Sequence, residues 1–298
     1  MFNYKSGVAI AKLGDKTIYL NKDNFEPEKD LSKEFKEKYK NLSLSEIRKL
    51  YKSLREDKEP KSKKLLKAFE DAKEEKKLKD KENSFSQLKC KTGKIQVLPR
   101  KDIVEKLYIS GVSGSGKSTY TGKYLEEYVK LYPDDPVFIF SSVPEDKPLD
   151  KIDPVRIDID EDLIEDPFNI QDFRDSITIF DDTDTIKNKI LRTAVNNIKA
   201  EMIEIGRHYN ARCIITSHII SNYRDTRQIL NEATSVTFFP KSGGVFHIKN
   251  FLKTYCGLDK KQIQQVLDLP SRWVTIYRTY PSYIIYEKGL STLSDFGK

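Results

Sequence analysis

Gly111-Val-Ser-Gly-Ser-Gly116-Lys117-Ser118-Thr119 decides the reading of this chain. It meets the pattern G-x-x-x-x-G-K-[ST] at every fixed position. The glycines let the backbone turn tightly, so that the N–H groups of Gly111, Val112, Ser113, Gly114, Ser115 and Gly116 can approach phosphate oxygens. Lys117 is placed to reach the β- and γ-phosphates, and Ser118 to set a hydroxyl on Mg²⁺ with Thr119 beside it. Lys106–Ser110 reads as a short apolar strand and Ser118–Leu131 as a helix. The start of that helix then adds partial positive charge where the phosphates lie.

Working outward, Pro133-Asp-Asp-Pro136 is a turn and Val137–Phe140 a short apolar strand ending in Ser141-Ser142. Strand, helix and strand at that spacing make a βαβ unit with parallel strands. Residues 144–175 are rich in Asp and Pro and read as irregular, with a short strand near Val155–Ile159. Ser176-Ile-Thr-Ile-Phe180 is another strand, and it runs directly into Asp181-Asp182. Carboxylates at the tip of a buried strand beside a phosphate loop hold Mg²⁺ or polarise the attacking water. Asp181 is assigned to the metal, with Ser118, and Asp182 to the water.

Asn188–Ile205 has helical periodicity, with Gly206 at its end. Arg207-His-Tyr-Asn-Ala-Arg212 then leads into Cys213-Ile-Ile-Thr216-Ser217-His218, a strand with a polar end. If that strand lies beside the Asp181 strand, Thr216, Ser217 or His218 sits close enough to sense the γ-phosphate. Val236–Phe239 is a further strand, Phe251–Leu267 is helical in two pieces around Gly257, and Trp273–Tyr277 with Ser282–Tyr286 reads as a terminal hairpin.

Upstream, Val8–Leu13 and Thr17–Leu20 flank Gly14 as a β-hairpin. From 28 to 82 the chain is dominated by Lys and Glu, with 19 Lys/Arg against 14 Asp/Glu, which is +5 of the chain's net +7. Ser43-Leu-Ser-Glu46 is a capping box that starts one helix, and a second is expected after Pro60. The expected architecture is α/β: a P-loop NTPase with a mainly parallel sheet flanked by helices, plus an N-terminal hairpin and a Lys/Glu-rich helical appendage. The expected divisions are 1–27 (hairpin), 28–90 (appendage) and 91–298 (ATPase domain with C-terminal hairpin).

Composition excludes several classes. Cys90, Cys213 and Cys256 are odd in number and widely separated, which points to reduced thiols rather than a disulfide framework. Three histidines argue against a zinc cluster. No apolar run reaches the roughly 18 residues of a membrane span, and Met1-Phe-Asn-Tyr-Lys5 has no signal-peptide layout. The expectation is a soluble protein without a membrane partner.

The strand ending Asp181-Asp182, followed by a helix, the Gly206-Arg207-His208 segment and the strand ending Thr216-Ser217-His218, resembles the DNA-packaging ATPases of large double-stranded DNA viruses. These are the poxvirus-like packaging ATPases of the FtsK–HerA superfamily. The resemblance implies a homo-oligomeric ring that hydrolyses ATP with Mg²⁺ at subunit interfaces and drives double-stranded DNA into a capsid. A capsid or portal protein is then a partner, and the host cytoplasm (viral factory) or the virion the location. It also implies a trans-acting arginine, with Arg207 the first candidate and Arg212, Arg224 and Arg227 behind it. Lys187 and Lys189 are candidates to line the pore. Asp182 stands where many relatives have Glu, with Asp184 as its possible substitute. Ser217-His218 stands where many have Gln or Asn. Three readings compete: a small-molecule kinase of the gluconate or nucleoside type, which lacks its Arg-rich lid here; an ABC-type ATPase, which lacks its LSGGQ-like signature between Thr119 and Asp181; and a nucleotide-binding structural protein.

Overall fold

The computed structural model describes residues 2–21, 85–222, 226–242 and 244–297. Residues 2–20 and 86–298 form one compact unit, and 21–85 fall in another. The helices expected within 28–82, and Arg224, lie outside the described residues.

The main sheet grows from six parallel strands. They are β6 (Lys106–Ser110), β7 (Val137–Ser141), β8 (Val155–Ile157), β9 (Ile177–Asp181), β10 (Arg212–Ser217) and β11 (Ser235–Phe238). Their spatial order is β11-β6-β10-β9-β7-β8. Strand β10 therefore lies between β6, which feeds the phosphate loop, and β9, which ends in the acidic pair. The register sets Ser217 opposite Ser110 and Ile215 opposite Phe180. The central strands β6, β9, β10 and β11 are buried on both faces, as a parallel sheet covered by helices requires, while β8 at the edge is partly exposed.

The side chains divide by the two-residue period of a strand. Tyr108, Phe140, Phe180, Cys213, Ile215 and Val236 turn to one face. There they meet α4 (Lys189–Ile205), α5 (Arg227–Glu232), α6 (Val245–Cys256) and α7 (Lys260–Asp268) through Met202, Leu230, Phe251 and Val266. Leu107, Ile109, Ile179 and Ile214 are buried on the opposite side. On that side lies α1 (Lys117–Leu131), whose Tyr120 hydroxyl bonds Thr275 Oγ1 at 2.8 Å and whose Tyr124 hydroxyl donates to buried Glu105 at 2.7 Å.

The terminal hairpin forms as β12 (Val274–Tyr277) and β13 (Tyr283–Tyr286). It does more than expected, because β12 pairs antiparallel with β11 and so joins the main sheet. β14 (Gly289–Thr292) and β4 (Gln87–Lys89) extend the same edge. Both are short, and their residues carry no periodicity long enough to read. At the other end, β2 (Val8–Leu13) and β3 (Lys16–Leu20) form the predicted N-terminal hairpin, flanked by β1 (Phe2–Asn3) and β5 (Ile95–Val97) in a four-stranded sheet. This small sheet docks on α1 through Lys12–Glu127 at 2.5 Å and Gln96 Nε2 to the Lys123 carbonyl at 3.2 Å.

One local expectation changes. Residues 144–175 hold two single-turn helices, α2 (Lys147–Asp150) and α3 (Asp162–Glu165), and a 3₁₀ turn at Ile170–Phe173. Each is too short to show a period; Asp146 caps α2, and Asn169 precedes the 3₁₀ turn. Gly206 ends α4 as expected, with a φ of −52° rather than a left-handed one, and a 3₁₀ turn runs on through Tyr209. The left-handed residue is Asn210, φ 53°. A glycine is needed at 206 because a Cβ there would meet the Ala211 carbonyl oxygen at 2.9 Å.

Candidate active site

All six parallel strands point their C-terminal ends to one edge of the sheet, where ligands bind in open α/β folds. Ser110, Ser141, Asp181 and Ser217 end their strands there. The loop 111–116 leaves β6 and returns into α1. Its last residue, Gly116, has φ 109°, a conformation that side-chain-bearing residues rarely adopt. Gly111 is packed so closely that a Cβ would lie 2.4 Å from Ser115 Oγ and 2.7 Å from the Phe239 ring. The Gly111 amide donates to the Ser217 carbonyl at 3.0 Å, which ties the loop to β10.

Lys117 begins α1 and is only 6% exposed. Its ammonium donates to the Gly111 carbonyl at 2.9 Å and lies 3.3 Å from Asp182 Oδ2. His218 Nε2 lies 3.3 Å from that same oxygen. Asp182 adopts φ 44°, left-handed for a residue that is not glycine. That strained turn follows the straight run of β9 and is held by the Asp182 amide, which donates to Thr216 Oγ1 at 2.8 Å.

The Thr216 hydroxyl donates in turn to Asp181 Oδ1 at 2.9 Å, with Asp182 Oδ1 3.1 Å away. Ser141 at the end of β7 donates to Asp181 Oδ2 at 3.2 Å. Ser217 Oγ donates to Asp184 Oδ2 at 3.0 Å. Burial pushes the Asp181 carboxyl above the usual range; the Thr216 and Ser141 hydrogen bonds pull it down, and the neighbouring charge of Asp182 adds to the rise.

The residues fit a magnesium–nucleotide complex. Ser118 and Asp181 offer the hard oxygen donors that Mg²⁺ takes. Ser115 Oγ is buried without a hydrogen-bond partner, a polar atom at the loop that a phosphate oxygen would satisfy. Asp182, Asp184 and His218 present ligand atoms within 4.8 Å of one another. When bound, the metal would supply charge neutralisation between the phosphates, while Lys117 and the loop amides hold the phosphate oxygens.

Lys117, Asp181, Asp182, Thr216, Ser217 and His218 are thus brought together, with Asp184 added. The structure also places Ser141, the last residue of β7, at the site. Arg207 is not brought there. It is exposed in the turn that precedes β10, at the opposite edge of the sheet from the loop. Six residues of β10 separate the two edges, roughly 20 Å of strand. Arg212 is buried at the same far edge, stacked on Tyr132 at 4.3 Å and 3.5 Å from Asp135, so its surroundings are internal. Arg227 starts α5. Lys187 and Lys189 are exposed before and at the start of α4. Arg272, which no motif marked, stands over Gly116: a Cβ on that glycine would be 3.6 Å from Arg272 Nη2.

A parallel sheet with this loop, this lysine and this acidic strand tip defines the class: the chain has the fold of a P-loop NTPase. It is 46% identical over 210 residues, 70% of this chain and 85% of its relative, to the uncharacterized protein V3 of Sputnik virophage, and it belongs to that protein's family. No protein-family profile matches the chain. Among solved structures it is similar to the genome packaging NTPase B204 of Sulfolobus turreted icosahedral virus 2 in complex with ATP-gammaS. The identity is 13%, over 62% of this chain and 97% of that one, with a TM-score of 0.42. It is also similar to the pCW3 conjugation coupling protein TcpA, 12% identical over 69% and 66% of the two chains, TM-score 0.44. Among the described residues, no helix is long and apolar enough to cross a membrane.

Proposed function

We propose that this protein is an ATP-driven double-stranded DNA translocase that packages a viral genome into its capsid, working as a homo-oligomeric ring with Mg²⁺ and ATP at subunit interfaces. One observation supports hydrolysis above all: β10 inserts between β6 and β9, and its Thr216 hydroxyl bonds the acidic pair beside Lys117. The loop alone is a binding cradle. With Asp182 held 3.3 Å from the lysine that reaches the γ-phosphate, the site has a carboxylate where an attacking water must be oriented. Asp181 and Ser118 are assigned to the metal, Asp182 to the water, and Thr216, Ser217 and His218 to sensing the γ-phosphate.

The viral setting is supported by kinship with a virophage protein. Translocation is supported by the order of motifs from Gly111 to His218. Arg207 cannot reach its own chain's loop across the sheet, so any catalytic role for it is in trans, on a neighbouring subunit. A capsid or portal protein would receive the ring. The test is ATP turnover by the full chain with and without double-stranded DNA. Turnover should rise with DNA, fall to background in Lys117→Ala, and lose its DNA response as salt is raised. Turnover indifferent to DNA but stimulated by a sugar or nucleoside would replace this reading with a kinase.

A further inference from the structure

A cleft of about 220 Å³ opens beside the phosphate loop on the side away from Asp182. Ser115, Gly116, Thr119 and Lys123 line it from the loop and α1, and Arg272 and Trp273 from the segment before β12. Its walls are held in place. Tyr120 packs edge-on against Trp273 with ring centres 5.2 Å apart, and the Tyr120 hydroxyl is bonded to Thr275 of β12. Glu287 fixes the segment from the other side. Its Oε2 accepts the Arg272 amide at 2.8 Å, its Oε1 accepts Lys94 Nζ at 2.8 Å, and its own amide donates to Ser271 Oγ at 3.0 Å. The backbone of residue 272 is therefore anchored while its side chain is exposed over Gly116.

The phosphate chain of a nucleoside triphosphate is unbranched, with the γ-phosphate and the nucleoside at opposite ends. If its γ end lies at Lys117 and Asp182, its other end must leave past Thr119 and Lys123, further along α1, into this cleft. We propose that the cleft seats the nucleoside, with the planar Arg272 guanidinium over the base and Trp273 as the wall behind it. A guanidinium stacks on a π-face as an ammonium cannot, and stacking reads the presence of a base with little regard to its identity. The proposal rests on the nucleotide-binding reading above and adds a residue contributed by the C-terminal extension of the sheet.

Two ligands separate the possibilities: ATP, and tripolyphosphate, which has the phosphates without the nucleoside. Calorimetry on the full chain should show Arg272→Ala weakening ATP roughly tenfold while tripolyphosphate changes less than about twofold. Arg272→Lys should behave like Arg272→Ala, because the charge stays and the plane is lost. Trp273 is the chain's single tryptophan, so its emission should shift on ATP saturation. Circular dichroism should be unchanged in both variants, since the bond to Glu287 comes from the backbone amide.

Equal weakening of both ligands would make Arg272 a phosphate ligand and overturn the proposal. So would full rescue by Arg272→Lys, an indifferent Arg272→Ala, or a silent Trp273 under bound ATP. If wild-type protein bound neither ligand, the nucleotide site itself would be refuted and the proposal with it. That result is distinct from tripolyphosphate binding with an indifferent Arg272.

Discussion

Thr216 Oγ1 donates to Asp181 Oδ1 at 2.9 Å and, through the same oxygen, accepts the amide of Asp182 at 2.8 Å. One hydroxyl on the central strand thereby sets the direction of one carboxylate and the backbone turn of the next. Thr216→Val keeps the shape and removes the hydroxyl. The Asp182 amide loses its acceptor and Asp181 a donor, which should cost about 1–3 kcal/mol of stability for the part-buried groups left unpaired. Turnover should fall with it, and urea unfolding and kcat measured on the same variant check both.

Asp182→Asn should lower kcat by roughly 100-fold or more while leaving ATP affinity close to wild type, because a water-orienting carboxylate acts on the chemical step rather than on binding. Steady-state kinetics with a separate binding isotherm tests it. Unchanged turnover would shift the role to Asp184, which Ser217 holds at 3.0 Å.

Asp181 carries a pH signature. Burial first, then the Asp182 charge, raise its pKa, and the bonds from Thr216 and Ser141 offset this only in part. The folded protein therefore holds that proton to higher pH than the unfolded chain does. The stability this contributes is present below the unfolded value and is lost as pH rises through the folded one. Two outcomes follow. Mg²⁺ must displace that proton to bind Asp181, so Mg²⁺ affinity should weaken with falling pH from a range above that of an ordinary aspartate. Asp181→Asn should raise the Tm of nucleotide-free protein at neutral pH while abolishing Mg²⁺-dependent turnover.

Gly111→Ala tests the loop. Its added methyl would fall 2.4 Å from Ser115 Oγ and 2.7 Å from Phe239, so the loop must move. Nucleotide affinity should drop to the level of Lys117→Ala with β6 and α1 still folded, as read by calorimetry beside circular dichroism.

Arg207 is exposed at the edge of the sheet opposite the loop. In a ring its removal should be felt by the neighbour. Arg207→Ala chains mixed with wild type should depress turnover more than dilution predicts, and the isolated variant should keep its affinity for ATP. A linear dependence on the wild-type fraction would remove Arg207 from the catalytic scheme.

The pieces that act locally were legible in the chain. The phosphate loop, the helix after it, the strand ending in Asp181-Asp182 and the strand ending in Thr216 each depend on short-range rules: glycine at a tight turn, apolar runs for buried strands, a period of 3.6 for α4. What no window of residues contains is strand order. Only the folded sheet places β10 between β6 and β9, because pairing is chosen by the packing of whole faces rather than by neighbours in the chain. That choice turns Thr216 from a polar strand end into the partner of both acids. It also sets Arg207 a full strand length from the loop and carries Arg272, more than 150 residues downstream of Gly116, to within reach of it. The identity of the phosphate loop was written in nine residues; the composition of the site around it was decided by long-range pairing.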